Sequence, residues 1–439
     1  KKSLQSPNMY AWKYERVFDH YVPLPQDSAR RGVIGIPRAL NMYEDYPLWF
    51  TLLTHLGFRV VLSGHSSKQL YYKGYATIPS QTVCYPAKLA HGHIIDLIEQ
   101  NVPVIFFPCV SRELQSEQST AGTFNCPVVA GYPELLRNNI QAVKEARVRY
   151  ICPFLPLSRT MLARRLHEQP FFADIPEEEL EAAVSAGFEE FDRYHEDIRT
   201  MGEQILQEVA DKKQKAIVLA GHPYHIDPEV HHGIADFIAS LGVPVVTEDA
   251  LAFGRDPKSL RVVNQWAYHA RLYRAGAFAI NNPSLAVLQL FSFGCGLDAI
   301  TSDQLEEIVS GSGSLYAQIK LDEGTNLGAA RIRIRSLLAT MRENKNVCRV
   351  LHEKVSVPPF TEEMRETHTL LIPQMSPTHF SFMEAVFQGC GYRAELLPQV
   401  DKAAIEFGLR YVNNDACFPA IVVIGQLLQA VQSGRHDPT

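Results

Sequence analysis

Two cysteines stand where a thiol can do chemistry. The tetrapeptide Cys84-Tyr85-Pro86-Ala87 recurs as Cys417-Phe418-Pro419-Ala420 near the end of the 439-residue chain. Each copy sits in the same longer frame. Ile36-Pro37 lies 48 residues before Cys84 and Ile372-Pro373 lies 45 before Cys417, while Gly57-Phe58-Arg59-Val60 and Gly391-Tyr392-Arg393-Ala394 precede them by 27 and 26. A strand–helix–strand–helix pattern is therefore written twice, each time with a cysteine just ahead of a helix. Proline in a helix's first turn costs no hydrogen bond, because those N–H groups lack intrahelical acceptors. A cysteine immediately before it meets free N–H groups and the positive end of the helix dipole. A thiolate, or a metal cluster held by thiolates, suits that position. A small apolar residue closing a buried strand is the alternative reading of a single such cysteine.

Further cysteines fall at strand ends. Val104-Ile105-Phe106-Phe107-Pro108 delivers Cys109, and Val287–Leu290 runs through Phe291-Ser292-Phe293-Gly294 into Cys295-Gly296. Ligands in open parallel sheets bind at the carboxyl ends of strands, so Cys84, Cys109 and Cys295 share the rim expected to hold a site. Three such thiolates suffice for an iron–sulfur cube with one iron left open, and the glycines beside Cys295 let backbone N–H groups approach its sulfurs. Cys126, ahead of an apparent strand at Val128-Val129, and Cys417 are conditional ligands. Cys152 is divided between core and site, whereas Cys348 and Cys390 read as structural. The competing constellation is His222-Pro223-Tyr224-His225-Ile226-Asp227 with His231-His232, in which His222 and His225 are candidate zinc or iron ligands and a polar loop is the plainer reading. Arg331, Arg333 and Arg335 follow an acidic turn at Asp322-Glu323; Arg331 and Arg335, four apart, share a helix face able to grip phosphate or a partner.

Composition narrows the class. Hydrophobic and charged fractions of 46% and 21% are those of a globular protein, and a net charge of −6 without a basic run argues against nucleic-acid binding. No apolar run approaches the roughly 18 residues of a membrane span, and the N-terminal residues do not resemble a signal peptide. The cytoplasm is the expected compartment. The eight cysteines lack zinc-ribbon or ferredoxin spacing, and neither a phosphate-binding G-x-x-x-x-G-K-[ST] loop nor a G-x-G-x-x-G turn is present.

The elements that must position these groups read as α/β throughout: tandem Rossmann- or flavodoxin-like domains with parallel sheets. Residues 1–31 form an N-terminal arm, 32–154 an α/β domain, 155–214 a helical connector and 215–343 a second α/β domain. A linker at 344–366 contains Pro358-Pro359. Residues 367–439 begin a third α/β domain that repeats the start of the first and is expected to be incomplete.

With these residues in hand, the chain resembles the acyl-CoA dehydratase activase-related proteins, relatives of the 2-hydroxyacyl-CoA dehydratase subunits and double-cubane cluster proteins. The resembling segments are Val33–Asn41, Ser80–His93, Val104–Cys109, Gly221–Gly233, Asn264–Leu272, Ser292–Ala299, Asp322–Leu338 and Leu370–His379. The family places one cysteine at a helix start, one after the next strand and one after a strand of the following domain, which matches Cys84, Cys109 and Cys295. The resemblance implies a [4Fe-4S] or double-cubane [8Fe-9S] cluster, reduced at low potential by an ATP-dependent activase, separate or fused. It implies reductive or radical dehydration chemistry on an acyl-CoA or another small molecule. A non-catalytic scaffold for activase modules and a histidine-ligated metalloenzyme are the alternatives, and a second copy of the chain is a further candidate partner.

Overall fold

A computed structural model describes residues 6–114, 122–145, 147–252, 257, 260–292, 295–324, 327–343, 359–412 and 416–437. Cys348 and most of the 344–366 linker lie outside the described residues. The chain divides into two compact units, Lys1–Phe293 with Thr301–Val350, and Gly294–Ile300 with Leu351–Thr439.

The N-terminal residues are more than an arm. Helix α1 (Met9–Tyr14), capped by the Asn8 side chain, continues through π-helical winding over Glu15–Asp19. Met9, Tyr10, Lys13, Val17 and Phe18 are buried in the main core. The aromatic spacing that shows no simple period in sequence serves two faces at once, because this segment packs on elements of both following sheets.

The first sheet is built by β1 (Val33–Ile36), α2 (Met42–His55), β2 (Arg59–Leu62), α3 (Lys68–Gly74), α4 (Tyr85–Glu99), β3 (Val104–Phe106), α5 (Pro127–Asn139), α6 (Gln141–Lys144) and β4 (Arg149–Ile151). Its strands are parallel in the order β2-β1-β3-β4. The apolar pair Val128-Val129, expected as a strand, lies instead in α5. Pro127 at the first turn and Cys126 at the cap favour helix, and that local chemistry outweighs the β-propensity of two valines.

A connector of α7 (Leu162–His167) and the 35-residue α8 (Glu177–Asp211) follows. Glu177, Glu178 and Glu179 sit in α8's first turn, where the helix dipole favours negative charge. Gly187 lets α8 lie close on α2, since a Cβ there would stand 3.0 Å from the Leu48 carbonyl oxygen.

The second sheet comprises β5 (Ala216–Ala220), α9 (Ile234–Ser240), β6 (Val245–Thr247), α10 (Ala267–Ala279), β7 (Leu285–Ser292), α11 (Gly296–Ser310), β8 (Tyr316–Leu321) and α12 (Gly328–Glu343). Its parallel order, β6-β5-β7-β8, repeats that of the first. Every residue of β5 and β7 is buried, as expected for strands covered on both faces.

The second unit holds α13 (Met364–Thr367), β9 (Thr369–Ile372), α14 (Pro377–Gly389), β10 (Arg393–Leu396), α15 (Lys402–Tyr411) and α16 (Phe418–Gln432), with β9 and β10 parallel. This is the β1–α4 sequence of elements over again. Gly57 and Gly391, both at φ +86°, end the first helix of each copy; a side chain there would be strained. The copies share a second device. A Cβ on Gly92 would stand 2.1 Å from the Leu70 carbonyl oxygen, and one on Gly425 would stand 1.9 Å from that of Ala404. Gly74 and Gly408 complete the two crossings. Each helix pair, α3–α4 and α15–α16, therefore meets backbone to backbone. Among the described residues no helix is long and apolar enough to cross a membrane.

Candidate functional site

Both four-stranded sheets reverse their strand order beside the first strand of each, between β1 and β3 and between β5 and β7. Loops diverge at such points and leave a crevice at the carboxyl ends of the strands. In the first unit the groups at the two rims are joined directly. Tyr43 of α2 donates to Asp227, Arg271 of α10 bonds Glu44 at 2.8 Å, and Tyr268 donates to Glu113 at 2.8 Å.

Four cysteines occupy the rim of the first sheet. Cys84 is the N-cap of α4 at φ −61°, ψ 151°, and Cys126 is the N-cap of α5 at φ −61°, ψ 150°. The Cys126 sulfur accepts from the Val129 N–H at 3.3 Å. Cys84 lies close enough to Tyr132, on the helix that Cys126 caps, to help burial raise that phenol's pKa; Tyr132 in turn bonds His91 at 3.0 Å. Cys109 follows β3, its N–H bonded to Pro153 O, and lies near Cys152 after β4. Burial pushes these two thiols up, to about 11 for Cys109 and about 12 for Cys152. The remaining candidates belong to the second unit. Cys295 precedes α11 with its sulfur accepting from Asp298 N–H at 3.5 Å. Cys417 caps α16 at φ −64°, ψ 147°, and a Cβ on Gly296 would stand 3.3 Å from its sulfur. Four of the described cysteines thus sit at helix starts, and the second unit brings the start of α11 against Cys417.

The histidine-rich stretch is a buried, built loop. Gly221 is required there, because a Cβ would meet His225 Nδ1 at 2.4 Å; that nitrogen accepts the His222 N–H at 2.9 Å. The His222 ring packs edge-on against His269 with centroids 4.9 Å apart, and a ring nitrogen of each lies within 4.8 Å of the other. These two imidazoles are placed to share an ion. His269 carries no motif in sequence; its only signal is its place in the resembling segment Asn264–Leu272. His231 is buried against Tyr10 and its pKa is pushed down to about 4 by burial. Half-buried His232 bonds the Asp322 carbonyl at 2.8 Å.

Between the rims runs a continuous polar chain. Ser63 contacts His93 Nδ1 at 2.8 Å, His93 Nε2 contacts Ser66 Oγ at 3.0 Å, and Ser66 donates to Asp227 at 2.6 Å. Burial holds His93 neutral, its pKa down to about 3. Beside it lies a buried ionic cluster. Lys13 pairs with Asp249 and stands 3.7 Å from Glu44, while Arg271 reaches Glu44 at 2.8 Å, Asp249 at 3.7 Å and Glu248 at 3.8 Å. Burial acts against ionisation of Asp249, but Lys13 and Arg271 outweigh it and hold that carboxyl far below the usual range. Glu248, left with burial and the Asp249 charge, is pushed up to about 7. None of these groups carries a sequence signal of its own, because Lys13 meets Asp249 and Glu44 meets Arg271 across 236 and 227 residues of chain.

The arginines of α12 are engaged at short range. Arg331 and Arg335 stack over the Phe237 ring at 5.4 and 5.8 Å, and Arg333 bonds Gln318 O at 2.7 Å. The acidic turn before them ties the second sheet to the cysteine helix, as Lys88 of α4 pairs with Glu323 at 2.9 Å.

No curated protein matches the chain. Residues 33–251, from β1 through the first sheet and connector to the end of the β6 loop, match the model of the CoA enzyme activase uncharacterised domain. Through this match residues 33–251 belong to the CoA enzyme activase domain family, consistent with an acyl-CoA dehydratase activase-related protein.

Proposed function

We propose that this protein holds an iron–sulfur cluster on its rim cysteines and takes low-potential electrons from an ATP-dependent activase, for reductive or dehydrating chemistry on an acyl-CoA or related small molecule. The observation that supports this is the placement of Cys84 and Cys126 at helix N-caps of the same backbone conformation beside one parallel sheet, with Cys109 and Cys152 following two adjacent strands of that sheet. The donor set fits the group: soft thiols, of which two meet the positive ends of helices. Cys109 and Cys152, whose thiols burial keeps protonated at neutral pH, bind only where a metal replaces the proton. Cys84 and Cys126 are the first ligands on this reading, with Cys109 available, and Cys295 and Cys417 a second pair in their own unit. A bound cluster would supply one-electron transfer at low potential. The chain's own contribution is to hold the sulfurs, to hydrogen-bond them through helix N–H groups and to shield them within apolar neighbours.

Anaerobic reconstitution with iron and sulfide, followed by iron counting and EPR, tests this. The expected result is a cluster signal lost in Cys84→Ala and Cys126→Ala. A protein that binds no iron, or whose bound iron is indifferent to both changes, overturns the reading. Turnover of a 2-hydroxyacyl-CoA with added activase separates an enzyme from a scaffold that only positions the cluster. A second reading rests on the facing His222 and His269 rings: zinc or iron retained in the cysteine variants but lost on His269→Ala supports an imidazole-held metal instead.

A further inference from the structure

Lys88 stands on α4 one turn beyond its Cys84 cap, and its side chain is only 3% exposed. An ammonium so enclosed is retained where an anion meets it. That anion is Glu323, whose Oε1 lies 2.9 Å from Lys88 Nζ. The carboxylate comes from the turn between β8 and α12 and is itself 41% exposed. Lys68, the first residue of α3, closes the other side. Its ammonium donates to the Glu323 backbone carbonyl, stands 3.8 Å from Glu229 and 3.4 Å from the Tyr85 hydroxyl, and lies over the Tyr71 and Tyr85 rings. Tyr85 gives its own proton to Glu229 at 2.8 Å. Two cations on the first sheet's helices thus converge on one acidic residue of the second sheet's last turn, all within the first unit. The repeated unit folds without this arrangement. Ile421 follows Cys417 by four residues as Lys88 follows Cys84, and Phe418 stands where Tyr85 does. A buried apolar residue therefore serves α16 at the position where α4 carries a charge.

We propose that Lys88 and Lys68 form a binding site for a phosphate group of a small-molecule ligand, and that Glu323 fills this site as the chain's own stand-in until the ligand displaces it. The two partners of the ion pair differ in freedom. Glu323 is part-exposed and can turn into water, where its carboxylate recovers its hydration. Lys88 is enclosed and cannot follow, so it would be left as an unpaired buried charge. Departure of the acidic turn is therefore coupled to arrival of another anion. A phosphate carries the recognition further than the stand-in does. Its several acceptor oxygens can meet both ammonium groups at once, whereas Glu323 meets Lys88 with its side chain and Lys68 with its backbone carbonyl. Lys68, with 30% of its side chain exposed, marks the open side by which a ligand enters. The site goes beyond the cluster reading, and its test needs neither iron nor activase.

Calorimetric titration and thermal unfolding of the full chain test this, with inorganic phosphate and coenzyme A as probes and sodium chloride at matched ionic strength as the control. Glu323→Gln leaves Lys88 without its anion, so its melting temperature is expected to fall and to be restored by phosphate but not by chloride. Phosphate is expected to bind Glu323→Gln about tenfold or more tighter than the unchanged chain, and Lys88→Met added to that variant is expected to abolish the gain. Coenzyme A binding about tenfold tighter than phosphate, with the same dependence on Lys88, supports the site as one for the phosphates of a thioester carrier. Equal affinities support it as one for the free anion. No gain in Glu323→Gln, a gain that survives Lys88→Met, or equal rescue by chloride each overturns the proposal. Circular dichroism of each variant establishes that the comparison is between folded proteins.

Discussion

The β1–α4 segment and its copy β9–α16 have the same local geometry and opposite burial. Both end their first helix at a left-handed glycine, cross their last two helices at paired glycines and cap the final helix with cysteine at matching backbone angles. Yet α2 buries eleven residues, and α14 buries none. Helix α4 buries eleven and α16 only three, Ile421, Gly425 and Gln426. The difference lies in what surrounds them. Strand β1 is flanked by β2 and β3, and α2 lies under α8; β9 pairs with β10 alone among the described residues. Turns, caps and close helix crossings are set within some 60 residues of chain, whereas burial is conferred by distant segments.

The largest difference is expected at equivalent positions of α2 and α14. Leu48 is fully buried and Phe382 is 67% exposed. Leu48→Ala is expected to cost about 3 kcal/mol by denaturant unfolding, and Phe382→Ala less than about 0.5. Equal costs would mean that Phe382 is covered as Leu48 is.

Burial of Glu248 contributes one part of the pH response of the first unit. Its carboxyl titrates near 7 when folded against an ordinary value of 4.5, so between those values the folded chain holds more protons than the unfolded one. That contribution to stability is full below about pH 4.5 and is lost as pH rises through 7. Glu248→Gln is expected to remove this slope and to stabilise the protein at pH 8 by up to about 3 kcal/mol. An unchanged melting curve at pH 8 would place Glu248 among the ionised partners of Arg271. The opposite sign applies to His91, His93 and His231, held neutral by burial with folded pKa values of about 4, 3 and 4 against 6.5. Their contribution is present above pH 6.5 and declines as pH falls toward those values, so acid unfolding is expected to take in the histidine range as well as the carboxylate range.

The shared glycine crossing predicts matched rather than contrasting effects. Gly92→Ala and Gly425→Ala each place a Cβ against a carbonyl oxygen and are expected to cost about 2 kcal/mol. Two unfolding transitions, the first variant lowering one and the second the other, would sharpen the division into units. A silent Gly425→Ala would show that the second crossing is loose. The smallest effect separates the caps. Cys126 accepts a hydrogen bond from the helix it caps and Cys84 makes no such side-chain bond, so Cys126→Ala is expected to cost about 1 kcal/mol and Cys84→Ala about half that or less.

Much of the fold is legible in the chain. The apolar runs Gly32–Ile36, Ala216–Gly221 and Val287–Leu290 fall on buried parallel strands, the last extended in the structure to Leu285–Ser292, and Gly328–Glu343 is a helix from its first residue to its last. Val128-Val129 is helical rather than extended because a proline and a capping residue decide a helix start more strongly than two β-branched residues decide a strand. The N-terminal helix has no such mark in the chain, because its aromatic residues serve elements of two sheets and show no single face. Of the candidate site, the cysteines and the histidine loop are visible by residue type and spacing. His269, Glu113, Glu248 and the cations that set their protonation are not, since each is an ordinary residue until the chain folds around it.

The repeated unit, its glycines and its helix-capping cysteines are written in the chain, because they depend on backbone conformation and hydrogen bonds between near neighbours. Which carboxyls lose their water, which cations they share and which copy of the unit is enclosed follow from the packing of distant segments. Desolvation and Coulomb energy depend on distances that no local pattern encodes.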